Sequence, residues 1–337
     1  MTDFFAQEPA VQVERLATAA HAALREWGVE NASLDLIKHR ENAVFKMTAG
    51  EQTAALRVHR HGYHSDAELR SELDWMKALS DAGIQVPRIV PTNSGSSFAS
   101  YDGEGLPGTL QIDMFEWIDG RQLGTVEGGV TDASEVERIF GTLGELAAKV
   151  HNQAVSWTLP EGFTRHAWDA DGLAGESPHW GRFWEIEAAT EEQRHLLVRV
   201  RERLHDDLSK LPKSPGSYSL IHADFAAENI MVDREGVRLI DFDDAGFGWH
   251  QFELVTALIF ITEEPYFDRA QAALIDGYRK HRPLSDEQLA MLPLFFLARS
   301  TTYIGWVHTR SETETARELT PWLLDLCCGL ANDYLST

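Results

Sequence analysis

Apolar side chains recur at helical spacing between Pro9 and Trp27 (Val13, Leu16, Ala20, Ala23, Leu24, Trp27), and Gly28 ends the pattern, so the chain is predicted to open with a helix. Three strand-like runs follow, Ser33 to Lys38, Ala43 to Thr48 and Thr53 to His59. The turn signal Ala49-Gly50-Glu51 separates the last two and suggests a β-meander. From Ser65 to Ala82 the helical period returns through Leu69, Leu73, Met76 and Leu79, and Gly83 stands where a C-terminal cap is expected. Val86-Pro87 leads into further strand-like sequence ending in Thr109 to Trp117, and the turn Ile118-Asp119-Gly120 closes this first region.

Helical patterning dominates after a Gly-rich loop, over Ala133 to Gln153, Glu191 to Leu211, Phe252 to Thr262, Asp268 to His281, Ser285 to Arg310 and Glu312 to Leu335. The exception is Ser219 to Asp243. There the apolar runs Leu220-Ile221, Ile230 to Val232 and Val237 to Ile240 flank polar residues and the turn Asp233-Arg234-Glu235-Gly236. No internal repeat, low-complexity tract or long linker divides the sequence, so the two regions are expected to work as one functional unit.

Composition narrows the range of partners. Across 337 residues, 53 acidic against 30 basic side chains leave a net charge of −23, which argues against nucleic acid because phosphate-backbone binding relies on clustered Lys and Arg. An acidic cleft favours a cationic substrate instead. Only Cys327 and Cys328 are present, and as neighbours in an apolar stretch they read as small core residues, in keeping with a reducing cytoplasm. The N-terminus lacks a secretory-signal pattern, and the longest apolar runs (Leu254 to Ile261, Leu292 to Ala298) are too short to span a bilayer. No membrane association is expected.

The strongest chemical signal is His222-Ala223-Asp224-Phe225-Ala226-Ala227-Glu228-Asn229, followed after a short hairpin by Ile240-Asp241-Phe242-Asp243-Asp244. In a kinase catalytic loop an Asp accepts the proton of the substrate hydroxyl, and an Asn five residues later binds Mg²⁺. Asp224 and Asn229 hold those positions. A hairpin of Ile230 to Val232 and Val237 to Ile240 returns the chain so that Asp241 projects toward Asn229, giving one metal two oxygen ligands. Mg²⁺ suits the pair because it is hard, prefers oxygen and completes its octahedron with water and the phosphates of ATP. Asp243 is a further candidate ligand, and either it or Asp244 serves the metal or caps a turn. His222 is expected to pack and orient the loop.

On IHADFAAENIMVD and LIDFDDAGFGWHQFELV, the chain resembles the aminoglycoside phosphotransferase and choline kinase family, nearest the branch holding homoserine kinase type II and the bacterial stress-response Ser/Thr kinase. The resemblance spans Asn31 to Tyr334 and is weakest in the middle. It implies an α+β, protein-kinase-like two-lobed fold. Residues 1–118 would form a nucleotide-binding lobe, a small antiparallel sheet with one crossing helix, and residues 119–337 a mainly helical lobe for catalysis and acceptor binding. The resemblance also implies that Glu116 and Trp117, in MFEWIDG, sit in the hinge whose backbone holds adenine. Arg57, in AALRVHR, takes the strand position of the usual phosphate-binding Lys, with Glu72 as its helix partner; Arg for Lys is a departure, although it keeps the charge. No GxGxxG loop is present, and His39-Arg40-Glu41-Asn42 stands in its place. Leu143 to His151 resembles the helix before the catalytic region, and His151 is expected to be a packed helix-end residue.

Family members bind the acceptor with the helical lobe. Two clusters there interrupt apolar sequence: Trp180-Gly181-Arg182-Phe183-Trp184, and Arg299, Tyr303 and Trp306 at helical spacing. Each suits substrate contact or packing. The expected activity is Mg²⁺- and ATP-dependent phosphate transfer to a small alcohol such as an amino alcohol, hydroxy amino acid or aminoglycoside-like compound. A stress-response type protein Ser/Thr kinase and a nucleotide-binding regulator without catalysis are the rivals.

Overall fold

The computed structural model describes residues 4–124, 135–234 and 236–336. Its first elements are α1 (Pro9–Ala23), β1 (Ser33–His39), β2 (Ala43–Ala49), β3 (Gln52–Val58), α2 (Asp66–Asp81), β4 (Phe98–Tyr101) and β5 (Leu110–Glu116). Then come β6 (Arg121–Gln122), α3 (Val136–Ser156), β7 (Ala167–Trp168), α4 (Ala170–Ala174), α5 (Glu191–Ser209), β8 (Tyr218–Ile221), β9 (Ile230–Val232) and β10 (Val237–Leu239). The chain ends through β11 (Gly246–Trp249), α6 (His250–Thr256), α7 (Phe267–Arg279), α8 (Asp286–Leu289), α9 (Leu292–His308) and α10 (Glu314–Leu335). These elements fall into two compact units. The first comprises the chain up to Arg121 with Leu159–Thr164 and Met231–Ile240, and the second comprises the remainder.

The first unit is built on a five-stranded sheet of order β1-β2-β3-β5-β4, antiparallel throughout. Alternation buries Phe45, Met47, Leu56, Ile112 and Met114 in one core with Leu16, Ala19, Ala20 and Ala23 of α1. The opening helix tightens into a 3₁₀ turn at Leu24–Trp27 and stops at Gly28, whose φ of 69° suits a residue without Cβ. A capping box starts α2: Ser65 Oγ accepts the Glu68 N–H while the Glu68 carboxylate accepts the Ser65 N–H, worth about 1 kcal/mol. The buried face of α2 holds Leu69, Leu73, Met76 and Leu79, and also the charged Glu72.

In the second unit α3 and α7 approach at glycine contacts. A Cβ on Gly144 would lie 2.0 Å from the Leu274 carbonyl oxygen, and one on Gly277 would lie 2.1 Å from that of Gly141. The sheet here is short, with β11 antiparallel to β8 and parallel to β7. Its strands β7 and β11, of two and four residues, escape pattern reading. The helix expected over Ser285 to Arg310 is two helices, α8 and α9, broken before Pro293, whose nitrogen cannot donate to a preceding turn. The helix expected over Phe252 to Thr262 is α6 followed by a 3₁₀ turn at Ile259–Ile261. The Gly-rich loop and the start of the helix expected from Ala133 lie outside the described residues, as does Glu235 of the hairpin turn. Both cysteines are free, and no helix among the described residues is long and apolar enough to cross a membrane.

Candidate active site

From β8 the chain enters the loop that carries Asp224. Ala223 adopts a left-handed conformation, φ 64°, which costs a residue with a Cβ free energy and must be held by its surroundings. Glu253 of α6 does this. Its Oε1 accepts the His222 N–H at 3.0 Å and its Oε2 accepts the Ala223 N–H at 2.7 Å, all fully buried. Burial pushes the Glu253 carboxyl above its usual range, against the pull of His222, the two N–H donors and Arg299. His151 Nε2 lies 3.4 Å from Glu253 Oε1, and its Nδ1 meets the Tyr278 hydroxyl at 2.8 Å. Burial, with Arg282 nearby, holds this imidazole well below 6.5. His222 packs edge-on against Phe242, with ring centres 4.7 Å apart, and its Nδ1 accepts the Asp224 N–H at 3.3 Å. It orients the loop, as its position suggested.

The Asp224 side chain keeps 24% of its surface, and both its oxygens are held from the protein side. Asn229 Nδ2 donates to Oδ2 at 2.6 Å and to the Asp224 carbonyl at 2.9 Å, while Arg299 Nη2 donates to Oδ1 at 3.2 Å. Arg299 comes from α9, fully buried, and also donates to the Tyr303 hydroxyl at 2.7 Å. Its guanidinium carbon lies 4.2, 4.9 and 5.2 Å from the ring centres of Tyr303, Trp180 and Phe252. Trp180 in turn donates its Nε1–H to Asp244 Oδ1 at 3.2 Å. The two aromatic clusters singled out in the sequence therefore meet through Trp180.

The segment Asp241 to Asp244 starts from a left-handed residue, Asp241 with φ 64°, which is exposed, whereas Asp243 and Asp244 are buried. Its backbone is gripped by residues 165–168, a stretch without a sequence motif. Arg165 donates to the carbonyls of Asp243 and Ala245, and the Asp244 carbonyl receives Trp168 Nε1–H at 2.9 Å beside His166 Nε2 at 3.1 Å. The donor set fits a hard divalent cation. With its Nδ2 spent on Asp224, Asn229 offers its amide oxygen, and Asp241 and Asp243 offer carboxylates.

In the first unit Arg57 and Glu72 are joined at 2.7 Å, and Arg57 also binds both oxygens of Asp113, the residue opposite it on β5, at 3.1 and 2.7 Å. His59 Nε2 completes the cluster, 3.0 Å from Asp113 Oδ2. Burial raises the Asp113 carboxyl, but Arg57 and His59 outweigh it and the net displacement is downward. Glu116 ends β5, exposed, with its N–H bonded to the Arg88 carbonyl, and the Lys46 ammonium lies 4.5 Å from the Trp117 ring centre. Arg182 bonds to Glu185 Oε1 and the Glu176 carbonyl, Trp184 stacks under Arg201 at 4.7 Å, and Trp306 lies 5.3 Å from Arg310. Sequence reasoning missed Glu253, Arg165 and Asp113. The signal available for Glu253 was a carboxylate inside the apolar run Phe252 to Val255.

The model of the Phosphotransferase enzyme family matches residues 35–285. Amicoumacin kinase of Bacillus subtilis is 24% identical over 310 residues, covering 89% of this chain and 86% of its own. Homoserine kinase of Rhizobium etli is 28% identical over 286 residues, covering 81% and 77%. A solved microcompartment-associated aminopropanol kinase superposes with a TM-score of 0.84 at 33% identity, over 95% of this chain and 98% of that one. The matched region includes the anchored Asp224 loop and the Asp241 segment, and the chain belongs to the phosphotransferase enzyme family, with its kinase-like α+β fold.

Proposed function

We propose that this phosphotransferase moves the γ-phosphate of ATP, with Mg²⁺, to the hydroxyl of a small amino alcohol. The observation that carries this reading is the setting of Asp224, a carboxylate partly open to solvent whose two oxygens are fixed from behind by Asn229 and Arg299. A hydroxyl on the open side finds a preoriented acceptor for its proton. As the acceptor oxygen bonds to the γ-phosphorus, the bond to the bridging oxygen breaks, ADP leaves and the hydroxyl proton passes to Asp224. Asn229, Asp241 and Asp243 are the residues that would hold Mg²⁺, which when bound neutralises phosphate charge. Arg57 with Glu72, and Glu116 with Trp117, are the proposed nucleotide-side residues of the first unit.

Two features favour an amino alcohol. Carboxylates crowd one stretch of sequence, Asp224, Glu228, Asp241, Asp243 and Asp244, in a chain of net charge −23, which suits a cationic acceptor. The relative named an aminopropanol kinase is also similar over nearly the whole chain. Arg182, Trp184, Tyr303 and Trp306 remain the candidate acceptor-side residues. The test is ATP consumption with Mg²⁺ over amino alcohols, hydroxy amino acids, aminoglycosides and protein substrates. Turnover is expected with amino alcohols and is expected to vanish in Asp224→Ala. Transfer to protein alone, or no acceptor-dependent turnover, contradicts the proposal.

A further inference from the structure

We infer that Arg299 is a positioning residue that sets the orientation of the Asp224 carboxylate for phosphate transfer, an assignment that rests on the function proposed above. Arg299 is 0% exposed, so an acceptor in the site does not reach it, and its effect must pass through a group that the acceptor does reach. That group is Asp224, the carboxylate to which it is hydrogen-bonded.

The geometry suits this role. A carboxylate rotates about its Cβ–Cγ bond unless both oxygens are held. Here Oδ2 is held by Asn229 from within the loop, and Oδ1 by Arg299 from a helix 75 residues away in sequence. The remaining lone pairs of Asp224 are thereby left for the open side. Arg299 itself has little freedom. Tyr303, Trp180 and Phe252 box its guanidinium, the Tyr303 hydroxyl takes a second bond from Nη2, and among the described residues Nε and Nη1 donate to no oxygen. A buried cation is costly unless paired, and leaving Nε and Nη1 without acceptors adds to that cost. The planar guanidinium is retained in a box of ring faces, with its Nη2 hydrogen bonds aimed at Asp224 and the tyrosine beside it.

The test exploits the shape of that box. Arg299→Ala leaves a hole lined by three aromatic rings, a hydroxyl and a carboxylate, which free guanidinium fits. The variant is expected to lose kcat on the order of 100-fold while the KM for ATP stays unchanged, and millimolar guanidinium is expected to restore activity by about tenfold. Urea, of similar shape and no charge, is expected to restore nothing. Unchanged kcat, or no restoration by guanidinium, overturns the assignment.

Two further measurements keep the test decisive. If Arg299→Ala does not fold, Arg299→Lys is used: loss of kcat at unchanged acceptor KM supports positioning, whereas a raised acceptor KM with kcat intact overturns it. The melting temperature, independent of turnover, separates this inference from the proposed function. Millimolar guanidinium is expected to raise it in Arg299→Ala but not in the double variant with Asp224→Ala, and an equal response of the two overturns the pairing. Absence of wild-type turnover would count against the proposed function alone.

Discussion

Asn229 donates its amide nitrogen to both the carboxylate and the carbonyl of Asp224, at 2.6 and 2.9 Å, so the residue five places on fixes the proposed base and its backbone together. Asn229→Ala removes that lock and one of the oxygens proposed to hold Mg²⁺. Steady-state kinetics with a Mg²⁺ titration should show kcat reduced on the order of 100-fold and the Mg²⁺ requirement shifted upward.

Glu253 holds the left-handed turn at Ala223 through two backbone N–H groups. In Glu253→Gln the amide nitrogen cannot accept, so one buried N–H loses its partner. Urea unfolding should show a loss of about 1–3 kcal/mol, and activity should fall by more than the change in folded fraction accounts for. Full activity at reduced stability would show that the turn does not need Glu253 for its catalytic shape.

His151 and His250 stack with ring centres 4.1 Å apart, and burial holds both imidazoles well below 6.5. His250 Nε2 meets Ser219 Oγ at 2.9 Å, while Glu253, Tyr278 and Arg282 face the pair. Below pH 6.5 the unfolded chain takes up protons that the folded one refuses, so their contribution is present above 6.5 and lost as pH falls. Two excluded protons give a slope approaching about 2.7 kcal/mol per pH unit. Glu253, raised above its usual 4.5, contributes with the opposite sign, losing stability as pH rises through its folded value. Comparing wild type with His250→Phe in urea from neutral to acid pH subtracts that contribution. The variant should lose about half of the histidine slope.

The Arg165 guanidinium takes the backbone carbonyls of Asp243 and Ala245 and so fixes the segment that carries the proposed ligands. Partners at one remove from a metal usually matter about 10–100-fold in affinity. Arg165→Met should raise the Mg²⁺ concentration for half-maximal activity within that range while leaving the acceptor KM unchanged.

The legible parts of this protein were those written locally. Asp224 and Asn229, which the fold joins at 2.6 Å, stand five residues apart in one short stretch, and α2 was readable from Leu69, Leu73, Met76 and Leu79 with its Ser65 cap. What failed to show were partners distant in sequence. Arg165 meets Asp243 from 78 residues away, and Arg57 meets Asp113 across paired strands from 56. Hydrophobic periodicity encodes which face is buried, not which carbonyl a buried guanidinium will find. The same limit merged α8 with α9, since Leu292 keeps the apolar pattern across a break set by Pro293.

The most direct test of the account is ³¹P NMR of ATP, Mg²⁺ and an amino alcohol with the wild type and with Asp224→Asn, which keeps the shape but not the proton acceptor. The account predicts an alcohol phosphate ester growing in step with ADP in the wild type, and neither in the variant beyond a trace. Equal ester formation by Asp224→Asn, or ADP with inorganic phosphate and no ester in the wild type, would contradict it.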